Sequence, residues 1–361
     1  MKLAICTDVY ASLPFPEMLD KVKAQGILGV EMTAGGWGGC PHVPTQALLA
    51  DPAKLTAFKA ELVKRGMEIA ALNCSGNPLC PGEMGEKHTK STYDTVVLAG
   101  KLGVKKIVMM SGCPAGAPGD KTPNWITSTV SWPDYMAPAL DYQWNEVAIP
   151  WWKKFAEHCS AHGVEQIAVE KFSCMLVYNP GTLLRLRHAV GPMIGANLDP
   201  SHLTAIGADP IASARALKGA IFHIHGKEAR IERGLADVNG LLETRPVTDS
   251  ANRTWNYVAV GCGKDLQWWK EFFSVVGMMG YQGWVSLEME DLTMSVDAGV
   301  TTSIAALKPG LPFTPRTGII TESTTTSAPL SCTITRNIWT RPGLTLMLSR
   351  PGMIMSRPGR K

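Results

Sequence analysis

No run in this 361-residue sequence stays apolar for the roughly 18 residues that a membrane-crossing helix needs. The N-terminus, MKLAICTDVY, lacks the long apolar centre and small-residue cleavage site of a secretory leader. Both absences point to a cytoplasmic protein with no membrane partner. Nine cysteines are present without one C-x-x-C pair, which suits reduced thiols better than a disulfide framework or a zinc knuckle. No G-x-G-x-x-G follows the first strand-like run, so a dinucleotide cradle is not expected. A basic surface is also missing. The formal net charge is +4, but residues 315–361 hold seven basic groups and one acid. The remaining 1–314 carry 28 basic and 30 acidic groups, net −2, which argues against a nucleic-acid partner.

What is present is a repeat. Glycines able to end a helix ahead of a strand fall at Gly26, Gly66, Gly103, Gly163, Gly191, Gly219 and Gly280. Their spacing of about 28–40 residues, twice lengthened, is that of one βα unit. Between them lie short apolar runs that read as buried parallel strands: 3–6, 29–32, 68–73, 106–110, 166–170, 193–199, 220–225 and 284–288. Amphipathic segments alternate with these runs. In DPAKLTAFKAELVKRG, Leu55, Phe58 and Leu62 share one face, and Pro52 suits a first helical turn. Eight strands alternating with helices predict an α/β fold, a (β/α)8 TIM barrel, over residues 1–314. Long loops are expected after the fourth strand (111–144) and the seventh (226–263), on the face where such barrels keep their chemistry. Residues 315–361 are Thr/Ser-rich, repeat R-P-G three times and are expected to form a disordered basic tail.

Acidic or imidazole groups occupy the last positions of four successive predicted strands: Glu170, Asp199, His225 and Glu288. Neighbouring strands lie about 4.8 Å apart, so the four can meet at one rim. Crowded carboxylates repel unless a cation compensates them. Three oxygens and one nitrogen suit one divalent metal ion of the Mn²⁺, Mg²⁺ or Co²⁺ type, with Zn²⁺ a further option. His223, two residues before His225, points to the same side and is read as a hydrogen-bonded core group. His202 is read as facing the site. His42, His88, His158, His162 and His188 are read as surface or packing groups.

Glu170 after a buried strand, N-L-D-P-S-H-L at 197–203, H-I-H-G-K-E at 223–228 and S-L-E-M-E at 286–290 resemble the sugar phosphate isomerase/epimerase family. These are xylose isomerase-like barrels, and the likeness covers roughly residues 1–312. The resemblance implies that Glu170, Asp199, His225 and Glu288 bind one divalent metal, with manganese favoured. Many relatives read H-x-K-D after the seventh strand, whereas this chain has Glu228, one methylene longer. Lys227 and Glu228 are therefore expected near the substrate, with a contact shifted from the family pattern.

An ion held this way polarises the carbonyl of an α-hydroxy carbonyl sugar and stabilises the enediolate left when a proton departs. Glu170 and Glu288, from strands three apart, are the expected facing acid and base. Proton return to the opposite face is epimerisation; return to the neighbouring carbon is aldose–ketose isomerisation. Trp37, Trp125, Trp132, Trp144 and Trp255 fall in predicted rim loops, and Trp37 is taken as a substrate contact beside His202, Lys227 and Glu228. No phosphate cradle is evident. The long loops leave room for a 3-keto-glycoside, on which the same proton removal permits epimerisation or loss of the aglycone. Two rivals remain, and a homo-oligomer is left open. A metal-dependent phosphodiesterase is disfavoured, because the third strand ends in Asn73, the fourth reaches Met110 and Ser111, and ADVNG replaces the D-x-H that such enzymes carry. A non-catalytic sugar-binding barrel is disfavoured by the complete ligand set.

Overall fold

The computed structural model describes residues 1–128 and 136–311. Trp132 and the tail expected from residue 315 lie outside the described residues. The strands are β1 Lys2–Cys6, β2 Gly29–Thr33, β3 Glu68–Asn73, β4 Lys106–Met110, β5 Gln166–Glu170, β6 Ile194–Leu198, β7 Ile221–Gly226, β8 Glu228–Ile231, β9 Trp255–Val258 and β10 Trp284–Leu287. Eight of them close into a parallel barrel in the order β1-β10-β7-β6-β5-β4-β3-β2. This is the (β/α)8 TIM barrel that the repeat predicts. Its strands lie between the barrel interior and a surrounding coat of helices, which is why all five residues of β2 and of β6 are buried. No described helix is long and apolar enough to cross a membrane.

The local signals act as their chemistry requires. Asp51 accepts bonds from the amides of Ala53 and Lys54 and so caps the helix Pro52–Arg65, which buries Phe58 and Leu62. Gly66 and Gly103 end their helices in the left-handed conformation, at φ 66° and 76°. There a side chain would strain against the following carbonyl. All seven glycines that marked the repeat have positive φ.

Both long connections are present, and each carries short elements of its own. Within the stretch after β7, β8 and β9 pair as an antiparallel hairpin, with the short helix Ala236–Asn239 between them. After β4, residues Met136–Asp141 and Tyr142–Ala148 run helically into Ile149–Ala161. Trp144 is consequently buried, with the Arg185 guanidinium 4.3 Å from its ring centre, and is not a rim group.

The barrel floor explains a run of small residues. β7 carries one extra residue against β6: Ala196 pairs with Ile221 and Asn197 with His223, leaving Phe222 between them. The Phe222 ring packs against Ala71, Val108 and Ala168. A Cβ on Gly195 would lie 2.3 Å from that ring. Gly195→Ala is therefore expected to lower stability by about 1–3 kcal/mol through overpacking, read as a shift in urea midpoint. An unchanged midpoint would show that the floor has slack.

Candidate active site

The residues that matter sit where strands stop being apolar. Glu170 is the last residue of β5. Asp199 lies one step beyond β6 and caps the helix Pro200–Ala205, its Oδ1 accepting the Ser201 amide at 2.7 Å. His225 is the penultimate residue of β7, and Glu288 is the first after β10, its amide donating to the Gly226 carbonyl at 3.3 Å. Each of these four offers one ligand atom, and the four atoms lie within 4.8 Å of one another. Glu170 and Glu288 reach into a cavity of about 440 Å³ at this end of the barrel. Glu170, Asp199 and His225 are fully buried.

Glu170 is hydrogen-bonded at both oxygens, whereas Asp199, His225 and Glu288 each keep one inner atom outside any aligned hydrogen bond. His202 Nε2 lies 2.7 Å from Glu170 Oε1, and Asn197 Nδ2 donates to Oε2 at 3.2 Å. His225 Nε2 lies 3.0 Å from Glu31 Oε1. Asp199 Oδ2, His225 Nδ1 and Glu288 Oε2 are all buried and have no hydrogen-bond partner. His225 Nδ1 and Glu288 Oε2 are only 2.9 Å apart, yet not aligned to bond. Buried polar atoms are seldom left idle. Three such atoms converging on one point, with the Glu170 carboxylate beside them, form a donor set that fits a divalent cation.

The charges agree with this. Burial alone would raise the Glu288 and Glu170 carboxyls, but Lys227 and His225 hold the first well below its usual range, and His225 and His202 lower the second. Burial keeps Asp199 raised. Burial would also lower His225, and Glu31, Glu288, Cys6 and Glu170 overcome it and push it well up. A divalent cation held at Nδ1 would have to displace that proton. Lys227 is buried; its Nζ lies 2.5 Å from Glu290 and 3.3 Å from Glu288, and 4.3 Å from the centre of the Tyr257 ring.

Of the residues expected to touch substrate, Lys227 and Trp37 line the cavity, and Trp37 is half exposed. His202 is placed behind Glu170, its ring edge-on to Phe172 and its Nδ1 3.1 Å from the Tyr257 hydroxyl. Glu228 is turned away. Its Oε2 accepts the Gly261 amide at 2.6 Å and the Trp269 indole at 3.3 Å, so it ties the hairpin to the helix Leu266–Met278. Trp125 packs on Met110, Cys113 and Met175, and Trp255 on Tyr257. Three participants escaped the sequence reading: Glu31, Asn197 and Tyr257. An acid inside the buried run GVEMT was the visible sign of the first; an amide in IGANL and a tyrosine in a predicted loop gave little sign of the others.

The family described as xylose isomerase-like TIM barrel matches residues 19–309. Uncharacterized protein YfiH of Bacillus subtilis is 62% identical over 308 residues, covering 85% of this chain and 98% of its own length. Among solved structures, the probable 3-DHS dehydratase AsbF of Bacillus anthracis superposes with a TM-score of 0.59 at 19% identity, covering 84% and 98%. A xylose isomerase-like TIM barrel protein of Mycobacterium smegmatis, in complex with magnesium, gives 0.57 at 14%, covering 86% and 97%. D-psicose 3-epimerase of Clostridium cellulolyticum, with D-tagatose, gives 0.55 at 14%, covering 86% and 98%. At these identities the solved structures establish a common fold.

Burial lowers the His223 pKa to about 4. The unfolded chain, with histidine near 6.5, takes up a proton that folded His223 refuses. Stability of the metal-free protein should therefore fall as pH drops from about 6.5 to about 4, by about 3 kcal/mol from this group. Burial also lowers His42, His88 and His158, which adds in the same direction. Chemical denaturation at stepped pH checks this; a flat profile from pH 6.5 to 4.5 would contradict it.

Proposed function

Because the chain belongs to the xylose isomerase-like TIM barrel family, we propose that it is a divalent-metal-dependent sugar isomerase or epimerase. The proposal rests on one observation above others: Asp199 Oδ2, His225 Nδ1 and Glu288 Oε2 converge beside Glu170 at the base of the cavity, none of them in an aligned hydrogen bond. Glu170, Asp199, His225 and Glu288 would hold the ion, with Mn²⁺ favoured and Mg²⁺, Co²⁺ or Zn²⁺ compatible. When bound, such an ion supplies Lewis-acid polarisation of a substrate oxygen and neutralises the carboxylates. We assign residues 1–314 to the catalytic barrel and give the tail no role. The eight cysteines among the described residues are free thiols, which suits a cytoplasmic setting.

The chain's own groups divide the remaining work. Glu170 and Glu288 both face the cavity and come from opposite ends of the four-residue arc. One takes a proton from the carbon next to the sugar carbonyl, and the other returns a proton to the opposite face or the adjacent carbon. His202 keeps Glu170 oriented through its 2.7 Å contact. Lys227, buried and held by Glu290, presents a fixed positive charge to a substrate oxygen that gains negative charge. Trp37 offers an apolar face to a sugar ring.

A second reading has its own support. Beyond the carboxylates the cavity wall turns apolar, with Val9, Met110, Phe172 and Met289 joining Trp37. That wall suits a sugar carrying an apolar substituent, such as a 3-keto-glycoside. Removal of the same proton followed by departure of the aglycone would then make the protein a lyase. The dehydration ascribed to the similar barrel AsbF, a probable 3-DHS dehydratase, is also an elimination.

Incubation with ketoses and keto-glycosides in deuterium oxide plus Mn²⁺ separates these outcomes. We expect deuterium at the carbon beside the carbonyl, and a drop of about 10²–10⁴ in that exchange for Glu170→Gln or Glu288→Gln. Wild-type exchange in both variants would remove the two carboxylates from the chemistry.

A further inference from the structure

Beneath the four converging residues lies a second layer that none of the proposed chemistry uses. Glu31, in the middle of β2, is 1% exposed and faces three nitrogens. Its Oε1 accepts from Asn73 Nδ2 at 2.8 Å and lies 3.0 Å from His225 Nε2; its Oε2 lies 2.8 Å from His223 Nε2. An ionised carboxylate only accepts, so each nitrogen facing it must carry a hydrogen. An amide N–H and two imidazole nitrogens facing its two oxygens are the surroundings of an ionised carboxylate. His225 is thereby committed: its Nε2 bears the proton, and its Nδ1 is the nitrogen with a lone pair once a cation displaces any second proton. That Nδ1 is the atom facing Glu288 Oε2 at 2.9 Å and Glu170 Oε2 at 3.5 Å.

The same group admits another interpretation. Cys6, Glu31 and His225 also offer ligand atoms within 4.8 Å of one another. The hydrogen bonds decide against a second cation there. Both Glu31 oxygens are engaged by N–H donors, and His225 Nε2 is one of those donors. The Cys6 Sγ is 3.9 Å from His225 Nε2, where it can accept weakly from the same N–H.

We infer that Glu31 is a positioning residue that fixes His225 in the Nε2–H tautomer and so presents Nδ1 to the cation held with Glu170, Asp199 and Glu288. The inference rests on the metal-site reading above. Groups that orient a metal-binding imidazole this way are typically worth 10–100-fold in metal affinity.

Two measurements test it on the full-length protein. The first is ¹⁵N-histidine NMR of the wild-type chain loaded with diamagnetic Mg²⁺ or Zn²⁺. A proton on His225 Nε2 with a coordinated Nδ1 is expected; a proton on Nδ1 would overturn the inference whatever any variant does. The second is titration calorimetry with Mn²⁺ on wild type, Glu31→Leu, Glu31→Asp and Asn73→Leu. Glu31→Leu should lose 10–100-fold in affinity. Glu31→Asp, which keeps the carboxylate but draws it back, should lose less and serves if the leucine variant does not fold. Asn73→Leu removes a Glu31 partner without touching His225 and should stay near wild type. Wild-type affinity in both Glu31 variants would sink the inference and leave the metal site standing. A wild-type protein that takes up no ion would instead sink the metal-site reading itself.

Discussion

Three carboxylates and an imidazole held within 4.8 Å of one another, almost wholly out of water, form the constraint on which the rest of this mouth is built. Like charges so placed repel strongly in a medium of low polarity. The chain does not relieve that repulsion by turning the groups outward. It places a buried lysine against Glu288 and a histidine against Glu170, yet leaves three inner atoms without an aligned hydrogen bond. A compensating cation is the economical resolution, and the outer hydrogen bonds make sense as the scaffold that aims the donors inward.

Barrel closure supplies the geometry. β5, β6, β7 and β10 are consecutive neighbours, so one side chain from the top of each falls on a short arc. Fine adjustment comes from irregular places. The extra residue at Phe222 reconciles the β6–β7 register, setting His223 opposite Asn197. Asp199 gains its position by capping a helix rather than by lying in a strand. The β8–β9 hairpin carries Tyr257 to the cavity and lodges Glu228 against Trp269. Precision at the site thus depends on features that interrupt regular structure.

Those interruptions also separate what the sequence disclosed from what it withheld. Buried parallel strands write themselves as apolar runs, so β3, β4 and β5 were legible to the residue and the other barrel strands to within one or two. Glu170, Asp199, His225 and Glu288 stood out because each breaks such a run. Glu228 stands just as close to a strand end, but a hairpin starts there and points it elsewhere, which no local pattern records. Glu31 was visible as an acid in a buried strand, yet its meaning depends on His223 and His225, almost 200 residues away. Trp144 read as a loop residue, but its segment is helical and buries the ring beside Arg185 from a later helix. Long-range partners, rather than weak propensities, account for each of these misses.

Diffraction from crystals grown with Mn²⁺, with an anomalous difference map, tests the central claim most directly. The account predicts one strong peak per chain, bounded by Glu170, Asp199, His225 Nδ1 and Glu288. A map with no peak there, and with the four side chains turned apart or bridged only by hydrogen bonds, would contradict it.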